Sequence, residues 1–253
     1  MTPLWLLLTL GLTMPAEDVP WQSLFDGRST AGWSVKCVKA DEGKPYIQVV
    51  DGCVEVNSLT DGNHNYVWLL SDREYGDFVF RCAFQAYRDS PGNSGVQIRS
   101  RYDDEARWLD GPQVDVNPPG PWRTGMMWDE TRGNQRWIWP EVPRGGWVQE
   151  SQALPGVPFY YSDQPPGWNR LEITAVGTKL SARLNGAAIM GWDGAGVLDD
   201  ATHQQRRVGL RGHIALQLHT GDKLRIRYRD LAIRDLDHPL PTRAGRALDA
   251  TLR

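Results

Sequence analysis

The stretch "NRLEITAVGTKLSARLNGAAI", residues 169–189, decides the fold class. Two alternating runs flank Gly177, and a second turn is written as Asn185-Gly186, a pair favoured between antiparallel strands because both positions tolerate positive φ. Successive side chains on a strand point to opposite faces, so the pattern describes half-buried hairpins rather than a helix. Working outward, short β-rich runs recur between turn signals. They are "YIQVV" before Asp51-Gly52, "CVEVN", "DFVFRCAFQAY" from Asp77, "SGVQIRSRY" from Ser94, "PQVDV" from Pro112, "HIALQLH" and "LRIRYRDLAI". No long amphipathic helix, internal repeat or linker is evident between residues 21 and 236, so the expectation is one all-β sandwich domain.

The 253 residues are 40% hydrophobic, enough to fill a core, which argues against disorder. A net charge of -3 gives no bulk attraction to nucleic acid, and none is expected as a partner. Arg225, Arg227 and Arg229 alternate with Leu224, Ile226 and Tyr228, the pattern of a solvated strand face over a buried one. Cys37, Cys53 and Cys82 match no zinc spacing; a Cys37–Cys53 staple is the one pairing considered. At the amino end the apolar run from Leu4 to Leu12 falls far short of the ~20 residues a spanning helix needs. Residues 1–16 read instead as a secretory signal peptide cleaved near Ala16, implying a periplasmic or extracellular protein with no membrane span once the signal is removed. Residues 237–253 read as a carboxy-terminal tail.

Residues 120–166 differ from the rest, being dense in Trp, Pro, Gly and Arg with weak periodicity. A segment of this length inside a compact domain reads as a structured rim around a binding cleft. Some of the 12 Trp rings are suited to stacking on sugar faces.

Three strands share one grammar. In "GHIALQLHTG" (212–221) Leu216 and Leu218 oppose Gln217 and His219. In "NSGVQIRSR" Val96 and Ile98 oppose Gln97 and Arg99. In "GPQVDV" Val114 and Val116 oppose Gln113 and Asp115. Residues two apart on a strand are about 6–7 Å apart, the scale of one sugar ring. If the strands lie in one sheet, their polar faces form a patch of amides, a carboxylate, a guanidinium and an imidazole suited to a polyol. Any one strand taken alone reads equally as the wet face of a sheet.

The ordered blocks "SLFDGRSTAGW", "DGCVEV", "LLSDREYGDFVFR", "GNSGVQIRSR", "GPQVDV" followed by "TGMMWDETR", "GWNRLEITAVGTKLSARLNG" and "GHIALQLHTG" running into "YRDLAI" resemble those of the 3-keto-disaccharide hydrolase family, over about residues 21–236. The resemblance implies a concanavalin A-like jelly roll, two antiparallel sheets with a cleft on the concave one. It also implies cleavage of glycosides whose glucose ring is already oxidised to a ketone at the third carbon. The matching positions are Asn93, Ser94, Gly95, Arg99, Gln113, Asp115, Asp129, Glu130, Gln217 and His219. Two positions depart from the pattern. Gly111 and Pro112 stand where the family more often has Glu before the Gln, and Trp128 stands where Tyr often precedes the Asp-Glu pair.

A ketone at carbon three acidifies the hydrogen on carbon two, so a base can remove it and the aglycone at carbon one can leave by elimination. Water addition to the enone completes a hydrolysis. The route needs a base poised near neutral pH, a group to hold the enolate charge and an acid for the leaving oxygen. The expected roles are His219 as base and Asp115 as its orienting partner, as the base itself or as a metal ligand. Arg99 is expected at the enolate, Glu130 as proton donor, and Gln97, Gln113, Gln217, Asn93 and Asp129 in substrate binding. A divalent metal near Asp115 and His219 is compatible with their chemistry, though no ligand cluster demands one. The paired Asp/Glu arrangement of ordinary retaining or inverting glycosidases is missing from the strands. A non-catalytic, lectin-like carbohydrate-binding module of the same fold is the alternative reading; oligomeric state is not legible.

Overall fold

The structure, a computed structural model, describes residue 16 and residues 18–238. The strands in chain order are β1 (Gln22–Ser23), β2 (Trp33–Cys37), β3 (Ile47–Val50), β4 (Cys53–Asn57), β5 (Val67–Tyr75), β6 (Phe78–Ala86), β7 (Ser94–Asp103) and β8 (Trp108–Asp110). They continue as β9 (Pro112–Val116), β10 (Met127–Asp129), β11 (Arg136–Trp139), β12 (Asn169–Val176), β13 (Lys179–Leu184), β14 (Ala187–Asp193), β15 (Gly212–Leu218) and β16 (Arg225–Asp235). One short helix, α1 (Ala201–Arg206), precedes β15.

Two antiparallel eight-stranded sheets result. The back sheet runs β14-β13-β12-β6-β16-β4-β3 with β1 on β16, and the front sheet runs β11-β10-β9-β7-β15-β5-β2 with β8 on β7. This is the concanavalin A-like jelly-roll sandwich that the resemblance implies. The hairpin at residues 169–189 forms as its alternation dictates. Leu171, Ile173 and Ala175 of β12 and Leu180, Ala182 and Leu184 of β13 enter the inter-sheet core. Asn185 and Gly186, at φ 51° and 86°, make the turn into β14. Facing them across the core lie Val96, Ile98, Val114, Val116, Leu216 and Leu218 of the front sheet, completely sealed from solvent. Burying each such side chain contributes about 1.5–3 kcal/mol, which is why the alternating register is held so firmly.

Several expectations change. The segment 120–166 is not loop throughout: β10 and β11 extend the front sheet, Val157, Phe159 and Tyr161 pack against the inter-sheet core, and Trp122, Val142 and Val148 pack with Trp128 and Trp137 on the front sheet's outer face. That face is therefore covered, and Gln97, Gln113 and Gln217 are buried instead of wet. The cysteines are all free and buried; Cys37 and Cys53 lie on strands of different sheets, so no staple joins them. The expected signal peptide lies almost wholly outside the described residues, as does the tail beyond residue 238. Among the described residues no helix is long and apolar enough to cross a membrane.

Candidate functional site

Register brings the three polar strands together. Across the front sheet, Asp115 of β9 pairs with Gly95 of β7, Gly95 with Gln217 of β15, and Gln217 with Trp68 of β5. In the adjacent row Trp128 of β10 pairs with Gln113, Gln113 with Gln97, and Gln97 with Ala215. Because antiparallel neighbours project to the same side, these residues share one face. The missing side chain at Gly95 is needed: a Cβ there would run into the amide of Gln113.

The polar atoms of this face are left open by the protein. Both amide atoms of Gln97, Oε1 of Gln113 and of Gln217, Oδ1 of Asn93 and the indole nitrogens of Trp68 and Trp137 are buried without a protein hydrogen-bond partner. Nearly every buried polar atom in a folded protein is paired, because desolvation without a partner costs about 1–3 kcal/mol. Several such atoms on one face mark a surface prepared for a polar ligand. Aromatic walls flank it. Tyr66, Trp68 and Trp108 pack together beside His219, while Trp128, Trp137 and the half-exposed Trp147 form a second cluster.

The titratable groups converge on the same place. Glu130 is buried; its Oε1 accepts from Gln217 Nε2 at 3.3 Å, and its carbonyl accepts from the Trp108 indole at 2.9 Å. Burial pushes the Glu130 carboxyl up to about 7 against the opposing hydrogen bonds of Trp128 and Gln217 and the charge of His219. His219 sits at the carboxyl end of β15, with Nε2 3.1 Å from the Tyr66 hydroxyl and Nδ1 3.3 Å from Asp222 Oδ2. Burial alone would lower the His219 pKa. Asp222, with smaller help from Glu130 and Asp115, outweighs it, so the net shift is upward. Asp222 is itself fixed by the Asn93 backbone N–H, which donates to its Oδ2 at 2.7 Å. Asp115 accepts from Arg123 Nε at 2.6 Å, and the Arg123 guanidinium lies 5.5 Å from the ring centres of both Trp137 and Trp147. Burial pushes the Asp115 carboxyl up against the pull of Arg123.

Gln97, Gln113, Gln217, Asn93, Asp115, Glu130 and His219 are thus brought to one face. Arg99 and Asp129 are not. Arg99 adopts φ 49° where the β7–β15 register shifts, and this bulge turns its side chain off the Gln97 face. Its guanidinium, fully buried, donates to the carbonyls of Gly76 (2.8 Å) and Gly177 (2.5 Å) and to Asp77 Oδ1 (3.0 Å), tying hairpin turns together. Asp129 follows the core-facing Met127 in alternation and points away from Trp128; it pairs with the buried His203 of α1 at 3.3 Å and accepts from the Thr131 N–H. The orienting partner of His219 is Asp222, not Asp115. Sequence reasoning missed Asp222, Tyr66 and Arg123. Only Asp222 carried a signal, three residues after His219 in a Gly-containing turn. Asp115, considered from the sequence as a ligand for a divalent ion, is engaged by Arg123, and among the described residues no three His, Cys, Asp or Glu side chains are grouped to hold a metal.

A jelly-roll sandwich with an amide-lined face and a buried acid beside a histidine belongs to a class of glycan-related proteins. The chain is a member of the 3-keto-alpha-glucoside-1,2-lyase-like domain family, whose model matches residues 20–234. Two solved structures of glycosyl hydrolase candidates from Parabacteroides distasonis ATCC 8503 share the fold. One is 14% identical, with a TM-score of 0.52 over 85% of this chain and 93% of that one. The other is 16% identical, with a TM-score of 0.50 over 85% of this chain and 99% of that one. No curated protein matches the chain.

Proposed function

We propose that this protein is an exported enzyme that cleaves 3-keto-glycosides at the anomeric carbon by elimination, with water addition to the enone as the hydrolytic completion. The observation that carries this reading is the convergence of unpartnered buried amides with two proton-transfer groups, a buried carboxyl pushed up to about 7 at Glu130 and an imidazole at His219 whose pKa Asp222 raises. In this scheme the amides of Gln97, Gln113 and Gln217 hold the sugar hydroxyls and the enolate oxygen, a task that Arg99 is too far displaced to perform.

The electrostatics favour exchanging the two roles expected from sequence. A carboxyl near 7 is ionised often enough to accept the proton from carbon two, and low dielectric makes it a stronger base than a solvated carboxylate. His219, its pKa raised by Asp222, supplies the proton for the departing oxygen from Nε2, relayed through the Tyr66 hydroxyl that lies 3.1 Å away. The proton gained by Glu130 and the proton lost by His219 leave the net charge of the pair unchanged through the elimination. Trp147, half-exposed at the rim, is suited to stacking on the aglycone.

The test is aglycone release from a 3-keto-glucoside bearing a nitrophenyl group. Glu130→Gln and His219→Ala should each lower the rate by a factor of at least 10², the usual contribution of general acid–base catalysis. Retained turnover in either variant removes that residue from the scheme. Saturable sugar binding by the wild type without any turnover favours the lectin-like alternative, which the same open amides also support.

A further inference from the structure

Of the alternating arginines of β16, none of which belongs to the site described above, Arg225 and Arg227 pair with Glu55, while Arg229 borders a trough elsewhere on the molecule. On the outer face of the back sheet, away from the glutamines, lies a groove of about 960 Å³. Its floor is low because Ala83 and Ala232 occupy the central strands, and its walls carry Arg81, Arg170 and Arg183. Two indoles line it as well, each capped by a guanidinium. Arg81 lies 3.9 Å from the ring centre of Trp21, which Arg234 also approaches at 4.6 Å, and Arg229 lies 3.9 Å from that of Trp168.

The charge here runs against the molecule as a whole. Groove and rim bring five arginines together with two carboxylates, Glu172 and Asp230, in a chain whose net charge is -3. Asp230 pairs with Arg229 at 3.5 Å; among the described residues Arg81, Arg170 and Arg183 form no ion pair. Of the stacked guanidinium groups, Arg229 pairs with Asp230 and Arg234 donates to the Ala16 carbonyl, while stacking on Trp21 uses the face of Arg81 and leaves its N–H edges free in a fixed plane, the geometry that matches a carboxylate in a bidentate pair. Register sets the spacing. Arg81 and Arg183 lie on either side of Glu172, and Arg170 and Arg229 on either side of Ala83, so each pair spans two strand separations, about 10 Å. That span is comparable to a disaccharide repeat.

We propose that this trough is a second glycan-binding site, selective for a chain that carries carboxylate groups, a polyuronate. The front face sets its carboxylates Asp115 and Asp222 against Arg123 and His219, so the excess of unpaired guanidinium groups is a feature of the outer trough. The outer site would hold the protein on an acidic polysaccharide while the front face handles a small neutral keto-sugar.

Titration calorimetry of the full chain with oligogalacturonate, with dextran oligomers as the uncharged control, tests this at low ionic strength. Binding of the uronate and not of dextran is expected, weakening as salt is added. Arg81→Gln and Arg170→Gln should each reduce affinity about tenfold, the loss expected when one charge-assisted pair is removed. Circular dichroism identifies any variant that fails to fold; Arg183→Gln, at a hairpin end, then provides the substitute. Equal affinity for dextran, unchanged affinity in the arginine variants, or tighter binding to phosphatidylserine vesicles than to the uronate overturns the proposal. Turnover of the 3-keto-glucoside is measured in the same variants and should not change, so failure of one site is distinguishable from failure of the other.

Discussion

Replacing Glu130 by Gln should make the protein more stable at neutral and alkaline pH while disabling the proposed chemistry. The carboxyl titrates at about 7 in the fold, against an ordinary value of 4.5. Between those values the folded protein keeps a proton that the unfolded chain has already released. The stability contributed by this group is therefore complete below pH 4.5 and is lost as pH rises through 7. At 1.36 kcal/mol per unit, the difference amounts to about 3 kcal/mol at pH 8. Gln is neutral throughout and nearly isosteric, and its amide oxygen can still accept from Gln217 Nε2. Urea denaturation of wild type and variant from pH 4 to 8.5 should give nearly coincident stabilities at the acid end. The variant should lead by a growing margin, about 3 kcal/mol by pH 8. A gap that does not change with pH, or a variant that falls behind as pH rises, would refute the claim that Glu130 is a buried acid strained toward its neutral form. The pairing of higher stability with lost activity is what a site built at the expense of the fold produces.

Three further outcomes are expected. Asp222→Asn removes the main influence that raises the His219 pKa, so an NMR titration of the imidazole should shift to lower pH, and the alkaline limb of any rate profile should move with it. Gln97→Met replaces a fully buried, unpartnered amide by an apolar group of similar length; chemical denaturation should show stability unchanged or raised by about 1 kcal/mol, while sugar affinity measured by calorimetry falls. Arg99→Met should behave in the opposite way, costing about 3–5 kcal/mol in the same denaturation assay because it strands the Gly76 and Gly177 carbonyls and Asp77, with no direct effect on sugar binding in the fraction that remains folded.

Residues 169–189 show how far local pattern reaches. Strand, turn and strand again are each specified within a few residues, since alternation determines which side chains are buried and Asn185-Gly186 accepts the left-handed backbone of the turn. The same two-residue period put Gln97, Gln113 and Gln217 on a common face, and the blocks that mark the family are themselves strands and turns. What alternation could not supply is the effect of one inserted residue. The bulge near Arg99 reverses facing from that point, so a guanidinium read as part of the site became a clamp between hairpins.

Partner choice lay further out of reach. Asp115 meets Arg123 across a loop, Asp129 meets His203 from a helix seventy-odd residues later, and Tyr66 reaches His219 because β5 and β15 are neighbours in the sheet. The pKa values that suggest a mechanism arise from the same source, since they depend on burial beneath aromatic residues folded over the front sheet. The sequence by itself determined the sandwich, its core faces and the row of amides, because those follow from interactions between near neighbours along the chain. Which carboxyl is pushed up by burial, which histidine has its pKa raised by a carboxylate neighbour and which arginine is structural were decided only when distant strands met, because charge and desolvation act through space.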